Sequence, residues 1–153
     1  MVEFERTLTL HHPLPDVVAY LADFSHAEEW DPGIVSCRPT MADVPVSEGV
    51  EWVSVSTFCG VRTGLRCRLA RLEDQRLTFV GRNRTATSTD DLIFRRENGA
   101  TLLTYRARIE FHGLARLASP FLREEVEHLG DEVADRMAQA VDSHFGVGGD
   151  STG

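Results

Sequence analysis

The chain has 153 residues, 42% of them apolar and 26% charged, with a formal net charge of −8. That length suits one domain built on one core. All 16 basic residues are arginine, which excludes Schiff-base chemistry, a lysine general base and a phosphate-loop lysine. The acidic total argues against non-specific nucleic-acid binding.

No apolar run approaches the roughly 18 residues of a spanning helix, so no membrane insertion is expected. Residues 1–6 carry neither a basic leader nor an apolar signal core. Cys37, Cys59 and Cys67 are odd in number and lack CxxC spacing. They read as reduced thiols of a cytoplasmic protein.

Charge is distributed in blocks. Residues 1–60 hold ten acids and two arginines, residues 61–109 five acids and eleven arginines, and residues 110–153 nine acids and three arginines. The fold has to account for a basic segment between two acidic ones.

In chain order, residues 2–10 alternate, with Phe4, Leu8 and Leu10 on one parity and Glu3, Glu5, Thr7 and Thr9 on the other, which predicts a half-buried strand. Residues 12–16 (His-Pro-Leu-Pro-Asp) stop it and open a helix, with Val17, Val18, Tyr20, Leu21 and Phe24 at helical spacing. A second short helix is predicted over residues 25–30, with Ser25 as N-cap and Glu28 completing a capping box. Asp31-Pro32-Gly33 ends it as a turn.

Strands are then predicted over residues 34–41, 50–58, 63–72, 76–81, 88–96 and 100–111, joined by turns of which Asn98-Gly99 is the strongest hairpin signal. From about Pro120 the period becomes helical. Leu122, Val126, Leu129, Val133, Met137 and Ala140/Val141 form one apolar stripe on a helix about 37 Å long, at about 1.5 Å per residue. The domain is expected to cover residues 1–145, with a disordered tail over 146–153. One strand, two short helices, six strands and one long helix give an α+β fold in which the sheet wraps the long helix.

Several segments carry a family resemblance: residues 14–24 (LPDVVAYLADF), 29–34 (EWDPGI), 76–79 (RLTF) and 98–105 (NGATLLTY). Over residues 2–143 the chain resembles the START-like (SRPBCC) superfamily of polyketide cyclases, dehydrases and lipid-transport proteins. Ala100 intervenes where the family's hairpin usually reads Gly-Thr. The resemblance implies the helix-grip fold, a curved seven-stranded antiparallel sheet around a long C-terminal helix, as in birch-pollen-type allergens. It also implies a cavity between sheet and helix for a small hydrophobic or aromatic ligand, lipid- or polyketide-like. Cyclase, aromatase or dehydratase activity is a second possibility, and a protein-interaction surface on the arginine-rich sheet back a third.

Strand parity sorts the side chains. Arg66, Arg68, Arg106 and Arg108 alternate with apolar residues and belong on the solvent face, partly paired with acids of neighbouring strands. The opposite parity supplies the expected lining: Leu65, Cys67, Leu69, Phe79, Tyr105, Ala107, Ile109 and Phe111. Trp52, Ser54, Ser56 and Phe58 join them, the other parity there burying Glu51 but drawing in Val53 and Val55. The long helix adds Leu122, Val126, Leu129 and Val133. Side chains that meet and fill this space are the competing outcome.

Acid–base candidates are few: Tyr105, Ser56 and His112, the last at the end of the final strand. Asp90 and Asp91 are read at a strand start, one of them inward or both capping. Trp30 either gates a cavity mouth or plugs the gap between short helices and sheet. Glu124 and His128, four apart on the long helix, read as surface pairing. No metal or cofactor is expected, and monomer and homodimer stay open.

Overall fold

The computed structural model describes residues 1–58 and 60–146. The expected tail from residue 147 onward and Cys59 lie outside the described residues. The elements are β1 (Val2–Leu10), α1 (Leu14–Ala22), a 3₁₀ turn (Phe24–His26), α2 (Ala27–Trp30), β2 (Ile34–Pro39), β3 (Glu51–Phe58), β4 (Val61–Glu73), β5 (Arg76–Arg82), β6 (Ala86–Glu97), β7 (Ala100–Phe111), a 3₁₀ stretch (Gly113–Phe121) and α3 (Arg123–Phe145). The seven strands form one antiparallel sheet in the order β1-β7-β6-β5-β4-β3-β2. This is the helix-grip architecture.

The helix start at α1 follows from Pro13 as N-cap, proline in the first turn and Asp16 beside it. The second short helix differs from expectation. Asp23, not Ser25, is the cap, its carboxylate accepting from the Ser25 amide at 3.0 Å and from the Ser25 hydroxyl at 2.7 Å. Glu28 does not close a capping box; it accepts the Cys37 amide at 2.6 Å and so ties α2 to β2. A short acidic side chain placed before the tight 3₁₀ turn reaches its free amides.

α3 begins three residues after Pro120. Between β7 and α3 the nine residues Gly113–Phe121 form a 3₁₀ stretch whose Leu114, Leu117 and Phe121 are exposed. The stripe of α3 is buried at Val126, Val133, Met137, Ala140 and Val141. The helix is clasped from β1. Arg6, on the inward parity of β1, bonds Asp131 at 2.9 Å and Glu127 at 3.0 Å. At the other end, buried His12 contacts Asp142 at 2.8 Å. Gly130 makes the close approach possible, because a Cβ there would sit 2.7 Å from the Phe4 ring.

The charge blocks resolve on the outer face. Glu5 lies opposite Arg106 and Glu3 opposite Arg108 across β1 and β7, with ion-pair distances of 2.9 and 3.8 Å. Arg66 meets Glu51 at 3.0 Å. Arg76 grips Asp91 with two bonds of 3.0 and 2.7 Å. Arg66, Arg106 and Arg108 therefore take partners from the first acidic segment and Arg76 one from within the basic segment, and Arg66, Arg68, Arg106 and Arg108 all face solvent.

Candidate functional site

The inner face of the sheet and α3 enclose a cavity of about 420 Å³. It is hollow because the strands place small residues inward. Ser54 and Ser56 on β3, Gly81 on β5, Ala86 and Ser88 on β6 and Ala107 on β7 all face it. Gly81 is required there, since a Cβ would stand 2.9 Å from the Cys67 sulfur. The rest of the wall is mainly apolar and aromatic, including Phe4, Phe24, Phe58, Leu65, Phe79, Ile109 and Phe111. From the helical side come Leu129 and Val133 of α3, with Ala118 and Leu122 at and just beyond the 3₁₀ stretch.

Of the residues expected at the wall, Ser54, Ser56, Phe58, Leu65, Cys67, Phe79, Tyr105, Ala107, Ile109, Phe111, Leu122, Leu129 and Val133 line it. Trp52, Leu69 and Val126 do not. They are inward and no more than 1% exposed, packed into the solid part of the core. Trp52 meets Phe24 and Phe79 edge-on, each at 6.0 Å. Parity gives the face of a strand but not the depth at which the space behind it closes. Trp30 is wholly buried, edge-on to Phe24 at 6.1 Å and to Tyr105 at 5.8 Å. It therefore plugs rather than gates.

His112 is absent from the wall. It is exposed, and its Nε2 contacts the Thr87 hydroxyl at 2.7 Å. On α3, His128 pairs with Glu132 at 3.3 Å, a surface contact to the turn on the far side from Glu124.

Two carboxyl groups are the main polar features inside. β6 starts at Ala86, so Asp90 and Asp91 lie within the strand rather than at its start. They separate by parity. Asp91 points out to Arg76 and Thr78, and these bonds draw its pKa down against the penalty of burial. Asp90 points into the cavity. Asp31, in the turn after α2, also lines it, with one carboxylate oxygen accepting from the Gly33 amide at 2.9 Å.

Burial pushes Asp90 up to about 7, and the nearby Asp31 carboxyl adds to this, while the neighbouring Tyr105 hydroxyl opposes it. Burial likewise pushes Asp31 up to about 6, opposed by the Gly33 amide and by Arg136 of α3. The Tyr105 hydroxyl is held well above its usual range by burial and by both carboxylates, so it stays protonated and available as a donor. Two carboxyls near each other in an apolar enclosure resist simultaneous ionisation. The thiols are inert because burial carries Cys37 up to about 12 and Cys67 up to about 11.

A seven-stranded grip on a long helix, with a cavity between them, makes a specific comparison possible. The family model for polyketide cyclase / dehydrase and lipid transport matches residues 1–142. The chain belongs to that family.

Solved structures agree on the fold. A protein from Thermus thermophilus superposes with a TM-score of 0.72 at 11% identity, over 93% of this chain and 98% of its own. A START superfamily protein from Mycobacterium smegmatis gives 0.67 at 13% identity, over 93% and 95%. The di-domain ARO/CYC StfQ of the steffimycin biosynthetic pathway gives 0.69 at 15% identity, covering 95% of this chain but 52% of that one. A comparison with curated proteins gives no match. At these identities the solved structures support the architecture, and the chemistry has to be argued from the cavity itself. No described helix is long and apolar enough to cross a membrane.

Proposed function

We propose that this member of the polyketide cyclase/dehydrase and lipid-transport family binds a small, largely apolar or aromatic molecule in the cavity. Its polar end would meet Asp31, Asp90 and Tyr105. The observation that carries this reading is the cavity of about 420 Å³ with an aromatic and aliphatic wall and a few convergent polar groups. A cavity of this kind is the usual form of a small-ligand site.

The test combines native mass spectrometry of the purified protein with titration of the neutral fluorophore prodan. Saturable one-to-one binding that is lost when Ile109→Trp fills the cavity supports the reading. Binding that survives Ile109→Trp in a folded variant, or no saturable binding at all, refutes it.

A second reading, cyclisation or dehydration of a carbonyl-bearing chain, draws on one specific observation. Asp90, enclosed and held near neutrality, suits proton transfer at physiological pH. In that reading Asp90 takes the proton next to a carbonyl whose oxygen accepts from the Tyr105 hydroxyl. Ser56 lines the same wall; His112 has no part. Turnover of a model polyketide unaffected by Asp90→Asn and by Tyr105→Phe would remove this reading and leave the binding role standing.

A further inference from the structure

The charge inside the cavity has one sign. Among the described residues that line it, Asp31 and Asp90 are the ionisable carboxyls, and no arginine or histidine joins them. Arg66, Arg76 and Arg106 lie on the outer parity, where an acid of a neighbouring strand meets each of them.

Other titratable groups act on the pair from each packed element. Tyr105 approaches from β7 and Cys67 from β4, and both are protonated at neutral pH. Arg136 of α3 acts on Asp31 from an exposed position. Asp90 is left with a hydroxyl donor and, among the described residues, no cation in the wall. A buried carboxyl in that position is either kept neutral by its surroundings or matched by a cation.

A second feature repeats the sign. An open groove abuts the cavity and shares Gly33, Thr57, Phe58 and Leu129 with its wall. Its α3 side carries Glu124, Glu125 and Glu132, with His128 as its one basic group among the described residues, itself paired with Glu132. A molecule reaching the cavity from this side crosses an acidic surface first. Clefts lined by one sign of charge concentrate ligands of the other.

We propose that the cavity selects ligands bearing a protonated amine on an apolar, aromatic body and rejects isosteres bearing a carboxylate. The selectivity arises at Asp90, with Asp31 beside it and the acidic groove outside. The inference rests on the binding role proposed above and specifies its ligand class. An ammonium group would donate to Asp90 within the enclosed wall, a charge-assisted hydrogen bond in place of an unmatched charge. A carboxylate placed there would add a third acid to a pair that already resists ionising together.

The test uses three probes of one shape: 1-naphthylmethylamine, 1-naphthalenemethanol and 1-naphthoate. Each competes with prodan on the full chain at pH 7.5 and at pH 5. At pH 7.5 the amine is expected to bind about tenfold more tightly than the alcohol, the scale of one charge-assisted hydrogen bond, and naphthoate more weakly than either. The amine's advantage shrinks at pH 5, where the cavity carboxyls take up protons while the amine stays charged. It also shrinks in Asp90→Asn, read as the ratio of amine to alcohol affinity in that variant. Asp31→Asn, a second variant, reduces the advantage in the same direction.

Alcohol binding without an amine advantage overturns the selectivity and leaves the cavity reading intact. So does naphthoate binding as well as the amine, or an advantage unchanged in both variants. Failure of all three probes and of prodan overturns the cavity reading itself, and the selectivity with it.

Discussion

Replacing Asp90 by Asn is expected to stabilise the ligand-free protein increasingly as pH rises. The folded chain holds the Asp90 proton up to about 7, whereas the unfolded chain releases it near 3.8. Between those values the folded state binds more protons than the unfolded state, so stability falls as pH rises through the window. The contribution is intact below 3.8 and fully lost above about 7. At about 1.4 kcal/mol per tenfold change in proton affinity, the whole span is worth about 4 kcal/mol. Asp90 is partly accessible to the cavity interior, and solvent there screens some of this, so about 2 kcal/mol is the working magnitude.

Asp31 acts in the same direction between 3.8 and about 6. Asp91, whose pKa the Arg76 bonds lower, acts in the opposite one: its stabilisation is present above the unfolded value and lost in acid. The difference between Asp90→Asn and the parent cancels that background. Urea unfolding at pH 5, 6, 7 and 8 measures it. The variant should gain about 1 kcal/mol on the parent between pH 5 and pH 8, the part of the window that lies above pH 5, or roughly 2–4 °C in Tm for a chain of this size. A difference that stays constant with pH, or that falls, would refute the placement of this carboxyl in an enclosed site.

Packing sets three further expectations. Gly130→Ala brings a Cβ to 2.7 Å from Phe4, a ring that stacks on Tyr105 at 5.5 Å and lines the cavity. The helix gains about 1 kcal/mol of propensity, and overpacking costs about 1–3 kcal/mol. A net loss of about 1 kcal/mol in thermal unfolding, with weaker prodan binding, is expected; no change in either would contradict the close contact of α3 with β1. Leu69→Ala removes a fully buried side chain that is not on the cavity wall, so unfolding should show a loss of about 2–5 kcal/mol while prodan affinity holds in the folded fraction. His112→Ala breaks only the 2.7 Å contact with Thr87; stability should change by about 1 kcal/mol or less with probe affinity unaltered, and weakened binding would return His112 to the site.

How far the sequence can be read depends on what alternation encodes. A period of two assigns Leu65 and Cys67 on β4, and Tyr105, Ala107 and Ile109 on β7, to the inner face, and they stand there. On β3, excluding Glu51 selects the correct parity, and Val53 is 44% exposed as that choice requires. Asp90 is within reach of the same reasoning. Ala86, Ser88, Asp90, Leu92 and Phe94 share one parity, but an acid weakens a strand signal, and the pair with Asp91 reads as a strand start. Asp31 has no such signal, because it sits in a turn whose Asp-Pro-Gly composition already explains it. The 3₁₀ stretch Gly113–Phe121 has neither helical nor strand period. Hollowness is the least legible property, since it depends on Gly81, Ala107 and Ser54 facing the same space from separate strands.

The two tryptophans stand just behind the cavity wall. Trp30 has an indole nitrogen with no hydrogen-bond partner and presents its ring to Tyr105 at 5.8 Å. Trp52 presents its own to Phe79 at 6.0 Å. Both contacted residues line the cavity, and neither indole reaches solvent. The protein's ultraviolet emission therefore comes from two fluorophores in apolar surroundings, each one side chain away from whatever fills the space. Filling the cavity, or ionising Asp90 beside Tyr105, alters the field at these rings without touching them. The molecule thus carries its own optical gauge of occupancy and of the charge state within, readable without a label.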